Sequence, residues 1–139
     1  MGLAFQLVAV FLYALVGLVS LVMAYKNLSS AGFLPFHEQA AGRHWEEVDA
    51  GLQSIVTALM RLTGLGFGVI GLQLIVLPLV GLMTHDSLAV FVAAIAGLFF
   101  CLGLFVVNYR LTTATGAETP WRGSLYAAIA ILIATVLSF

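Results

Sequence analysis

Charge is what this sequence has least of. Only 8% of its residues are Asp, Glu, Lys or Arg, against 63% hydrophobic. A soluble domain carries about 25% charged residues and covers itself with them. A surface as apolar as this one aggregates in water, so a water-soluble fold is excluded and lipid is the expected solvent. Basic runs are absent as well, and the net charge is -1. Nucleic acid is therefore not an expected partner. Cysteine is nearly absent: Cys101 stands alone inside an apolar run. An internal disulfide is impossible, a cysteine metal cluster is excluded, and Cys101 is expected to act as a small apolar residue. The N-terminus has no basic stretch, and its apolar run from Leu3 to Tyr25 is too long for a cleaved signal, so it is expected to be retained as a helix. Tandem repeats, low-complexity segments and flexible linkers are also missing.

What is present is long apolar runs. Crossing about 30 Å of hydrocarbon takes about 20 apolar residues in a helix. Four stretches qualify, at residues 3–25, 62–82, 88–109 and 120–139. We expect an all-α integral membrane four-helix bundle, with residues 1–139 forming one domain. An amphipathic cytoplasmic segment should lead into helix two. There, apolar Val48, Leu52, Ile55 and Leu59 alternate with polar Asp49, Gln53, Thr57 and Arg61 on another face. That pattern predicts a helix from Trp45 to Arg61 lying at the interface. The crossing proper should start at Leu62, because no charge occurs from there to Leu82.

The connections carry start and stop signals. Lys26 and Asn27 are expected to end helix one. Pro35 and Gly42 bracket a short helix in the first connection. Asp86 or Ser87 can cap helix three, and Thr119 followed by Pro120 predicts the start of helix four.

Four crossings place both termini on one side. Lys26, Arg43, Arg110 and Arg122 flank the first and third connections, whereas the second holds no Lys or Arg. The positive-inside rule puts those two connections in the cytoplasm and both termini outside. Interfacial aromatics are expected near the same side: Tyr25, Trp45, Tyr109, Trp121 and Tyr126. The expected location is a bacterial or archaeal cytoplasmic membrane.

Few residues qualify as functional candidates. His37, His44 and Glu47 are the candidate metal ligands, with His44 and Glu47 at i,i+3 spacing. They sit in one connection and the spans hold no carboxylate, so neither a metal nor another cofactor is expected. Arg61 is the one charge flanked by long apolar runs. It either marks the membrane boundary, the favoured reading, or pairs inside the bundle with Glu118 or Asn108. Gly64 and Gly68, one turn apart, form a face that lets another helix approach closely. Tyr13, Gln6 and Gln73 are isolated polar groups expected to hydrogen-bond between helices. No nucleophile and base are arranged for catalysis.

The layout is similar to that of the membrane-associated glutathione and eicosanoid metabolism proteins: this length, four spans, outward termini, and a large first cytoplasmic connection. Those proteins carry an arginine-histidine-asparagine-glutamate pattern at the start of helix two. Here the stretch reads Arg43, His44, Trp45, Glu46, Glu47. The asparagine is missing, so the resemblance brings over no catalytic residue and no glutathione. The leading expectation is a non-enzymatic accessory or scaffold protein that assembles with itself or with a larger membrane complex. The alternatives are an oligomeric transporter or channel for ions or small molecules, and a membrane enzyme on a lipophilic substrate.

Overall fold

The computed structural model describes residues 2–139, all of whose regular structure is helical. Helix α1 spans Leu3–Ser29, α2 Pro35–Ala41, α3 Ala50–Thr84, α4 Ser87–Thr115 and α5 Trp121–Ser138, with one 3-10 turn at Trp45–Glu47. The long helices α1, α3, α4 and α5 are apolar and long enough to cross a membrane. They mark the chain as an integral membrane protein. Helix α1 packs on α3 and α5, and α4 packs on the same two. Their shared core is made largely of small side chains, with Tyr13, Leu74 and Ile131 as the large buried members.

Several boundaries differ from the sequence expectation. Lys26 and Asn27 do not end α1, which runs on to Ser29. Asn27 stays helical because its Nδ2 donates back to the Met23 carbonyl at 2.8 Å. Likewise α4 continues six residues past Tyr109 to Thr115 before Gly116 stops it at φ +75°. Thr115 keeps its place in the helix by donating to the Leu111 carbonyl at 2.8 Å. Thr119 does not cap α5. Its hydroxyl donates instead to the Asn108 carbonyl at 2.9 Å, tying the connection back onto α4.

The region before α3 also departs from the expected helix at Trp45. Trp45–Glu47 is a 3-10 turn, Val48 is extended, and α3 begins only at Ala50. Asp49 sets that start, since its side chain accepts from the Leu52 amide at 3.0 Å. From there α3 is unbroken for 35 residues, about 52 Å at 1.5 Å per residue. Pro78 lies inside it. Proline brings no N–H for the Leu74 carbonyl, a defect that membrane helices tolerate when neighbours pack around it. Pro35 and Gly42 bracket α2 as expected, and Asp86 caps α4 by accepting from the Leu88 amide at 2.9 Å.

The seam between α1 and α3 brings two backbones into direct contact. A Cβ on Gly71 would sit 2.8 Å from the Gly17 carbonyl oxygen, and one on Gly17 2.7 Å from that of Gly71. Gly64 continues the seam: a Cβ there would meet Leu28 at 2.9 Å and the Ala24 carbonyl at 3.2 Å. Gly68 is looser, with only Ala24 Cβ in range at 3.8 Å. Gly71→Ala should therefore destabilise the protein by about 1–3 kcal/mol, because the contact is backbone and cannot swing aside. Gly68→Ala should be neutral or stabilising by up to about 1 kcal/mol through helix propensity. Thermal unfolding of both variants in one detergent checks this; equal midpoints would mean that the seam is not tight.

Candidate functional site

Helix α3 follows α1 closely and parts from α4. The α3–α4 contact runs from Gly81 against Val90, through Leu74 against Gly97, to an edge-to-face pair of Phe67 and Phe100 with ring centres 5.1 Å apart. Beyond that pair the helices diverge and border an open cleft of about 940 Å³. Val56, Leu59, Met60 and Thr63 line it from α3, and Leu104, Val107, Asn108 and Leu111 from α4. Phe36 and His37 of α2 lie across its far end, with Asn27 of α1 on the side. Ligand sites are commonly of this size, mostly apolar, with a few convergent polar groups.

Helix α2 is held over the cleft by local chemistry. Pro35 opens it, Gly42 closes it at φ +64°, and the Gly42 amide donates to the Glu38 carbonyl at 2.9 Å. Phe33 packs against Trp45 with ring centres 4.8 Å apart, and Phe36 against His37 at 4.1 Å. The Gln39 side chain accepts from the Glu118 amide at 3.1 Å. That bond joins the first and third connections at one end of the molecule.

The candidate metal ligands are engaged separately. His37 Nδ1 accepts from the Leu34 amide at 3.3 Å. Glu47 accepts from the His44 amide at 3.2 Å, and His44 Nδ1 lies 3.8 Å from Glu38. Among the described residues no three His, Cys, Asp or Glu side chains gather in metal-binding geometry. Arg61 is exposed and makes no ion pair among the described residues; Asn108, its suggested partner, donates to the Leu104 carbonyl instead. Of the aromatics, Tyr109 and Trp121 stack edge to face at 5.6 Å, and the Arg122 guanidinium lies 5.3 Å over the Trp121 ring. Tyr25 and Tyr126 are exposed, whereas Trp45 is half-buried against Gly32 and Phe33.

At the opposite end, Gln6, His85 and Asp86 border a small cavity of about 120 Å³. His85 takes the left-handed position after α3, at φ +55°. Tyr13 bridges α1 to α5 through the Thr135 hydroxyl at 2.8 Å, as expected of it. Gln6 and Gln73 make no such bond among the described residues. Sequence reasoning gave Asn27 as a helix end and Asn108 as a partner for Arg61 without their place on the cleft, and it missed Thr63 and the seam glycines Gly17 and Gly71.

With this geometry in hand, no family model, curated protein or solved structure matches the chain. The likeness in layout to the glutathione and eicosanoid proteins gains no support from those comparisons, and the cleft has to be interpreted from its own residues.

Burial lowers the His37 pKa from its ordinary value of 6.5. An undocked α2 would take up a proton near that value, before docked His37 does. Docking of α2 is thus at full strength above about pH 6.5 and weakens as pH falls toward the lower docked value. Hydrogen exchange at the α2 amides, corrected for intrinsic rates, should quicken between about pH 7.5 and 5.5. His37→Gln should flatten that response. An unchanged pH response in the variant would assign it to another group.

Proposed function

We propose that this protein is a four-crossing membrane bundle that acts by binding: a non-enzymatic accessory protein that holds a lipophilic molecule in the α3–α4 cleft and works with a larger membrane assembly or with itself. The observation that carries this reading is the cleft, large, apolar and set between two membrane-crossing helices. Its polar side chains are amides, a hydroxyl and a histidine. That set suits positioning a ligand better than attacking one, which favours binding over the enzymatic alternative. A transporter would need the cleft to connect both ends. The Phe67–Phe100 pair instead floors it partway along.

The proposed orientation puts the α2 end in the cytoplasm, following Lys26, Arg43, Arg110 and Arg122. Helix α3 exceeds a bilayer core by about 20 Å. In our reading its first three turns, Ala50 to Arg61, form the amphipathic interfacial segment. The exposure of Leu52, Ile55 and Leu59 supports this, since their stripe faces outward and is free to meet lipid or a partner.

Native mass spectrometry of protein released from membranes in mild detergent tests the main reading. A retained lipophilic mass is expected, alone or with a partner subunit. A bare monomer from gently extracted membranes would overturn it. Spin labels at Ser54 and Ala58, both exposed, test the boundary. Accessibility to a water-soluble relaxant is expected at both, and Arg61→Leu should change stability by less than about 1 kcal/mol. Protection of both labels would place Arg61 inside the membrane.

A further inference from the structure

The cleft carries no charged lining residue, yet it holds three hydrogen-bonding groups that the protein leaves unspent. Asn27 is only 5% exposed. Its Nδ2 donates to the Met23 carbonyl, while its Oδ1 has no partner among the described residues. Among the described residues no occluded polar side-chain atom lacks a partner, so this oxygen is not fully covered, and Asn27 is one of the residues that line the cleft. Asn108 repeats the pattern: Nδ2 donates to the Leu104 carbonyl at 2.9 Å and Oδ1 is left over. His37 accepts at Nδ1 from the Leu34 amide, which leaves the proton on Nε2. The cleft thus offers two amide acceptors and one donor, all uncharged, beside the Thr63 hydroxyl, whose hydrogen is spent on the Leu59 carbonyl.

A carboxylate or phosphate could use only the donor and would meet two amide oxygens. An ammonium could use only the acceptors. Hydroxyl groups use both, because each donates one hydrogen and accepts at its lone pairs. The apolar remainder of the cleft runs about 17 Å along α3 from Val56 to Phe67. Its inner part, Leu62 to Phe67, lies in the proposed crossing, and its outer part, Val56 to Met60, at the interface. We propose that the cleft binds an uncharged lipid with a hydroxyl-bearing head of the acylglycerol kind. The head meets Asn108, His37 and Asn27, and the chain lies against Met60, Phe67 and Leu104.

This proposal rests on the lipophilic-binding reading above, and the test separates the two. The probes are 1-oleoylglycerol, methyl oleate, which has the same chain without hydroxyls, and oleate, which carries a charge. Each is titrated into delipidated protein and followed by native mass spectrometry. Gly103→Leu blocks the cleft without cost to folding, because Gly103 lines it and a Cβ there meets nothing within 4 Å. Gly66→Leu is a second block, its Cβ lying at an ordinary 3.5 Å from the Phe100 ring.

The expected result is 1-oleoylglycerol binding at least about tenfold tighter than methyl oleate or oleate. Either block should abolish it, and Asn108→Leu should erase the preference over methyl oleate. Equal binding of 1-oleoylglycerol and methyl oleate, both lost in the blocked variants, would overturn the head-group proposal and leave the lipophilic cleft standing. Tighter binding of oleate would also overturn it. Binding indifferent to both blocks would overturn the two readings together.

Discussion

The contact between the backbones of Gly17 and Gly71 governs the rest of the arrangement. In lipid, burying apolar side chains offers little drive for helices to meet, since the surroundings are equally apolar. Association comes from close packing, and close packing needs surfaces without bulk. Helices α1 and α3 have such surfaces at Gly17, Gly64 and Gly71, and they lie together along most of their crossing. Helix α3 therefore follows α1. It touches α4 only where Gly81, Gly97 and the Phe67–Phe100 pair permit. The cleft lies where α3 keeps to α1 and α4 diverges from it, beyond the Phe67–Phe100 pair.

Polar groups within the helices obey the same constraint. With no water in the hydrocarbon, a hydroxyl or amide must find a partner in the protein. Most find one a turn back on their own helix: Thr63 at Leu59, Asn108 at Leu104, Thr135 at Ile131, Ser138 at Ala134. Such bonds satisfy the donor locally and leave the neighbouring helix free to pack. Tyr13 is too long for this and bridges α1 to α5, so it ties two helices at the core. A side-chain amide is different again, because satisfying its nitrogen leaves its oxygen over. The leftover oxygens of Asn27 and Asn108 both belong to residues on the cleft wall.

The four long apolar helices were legible because each contains a long apolar run, and hydropathy depends on composition rather than on contacts. The caps at Asp86, Pro35 and Gly42 were legible for a similar reason: they act within one turn. Polar residues misled where they back-bond. Asn27 resembles a helix end in sequence, yet it is helical and buried because its amide reaches the Met23 carbonyl. Thr119 resembles a cap, yet α4 offers it a better acceptor at Asn108. The glycine face was seen at Gly64, but the tighter member one heptad on, Gly71, was not. Its partner Gly17 lies on another helix, and nothing in either segment announces the pairing.

The cleft was not legible at all, since it arises from the divergence of α3 and α4 and from α2 lying across its end. Its neutrality nevertheless follows from the sequence. The five Lys and Arg residues are Lys26, Arg43, Arg61, Arg110 and Arg122, and each lies outside the lining. Arg61 and Arg110 are each one residue from a lining position, Met60 and Leu111, but helical geometry turns them to other faces. The same two connections also hold Glu38, Glu46, Glu47, Asp49 and Glu118, so charges of both signs stand outside an uncharged lining. On the proposed reading, an uncharged head group finds two amide acceptors and a donor inside the cleft without entering the zone where either sign of charge is concentrated.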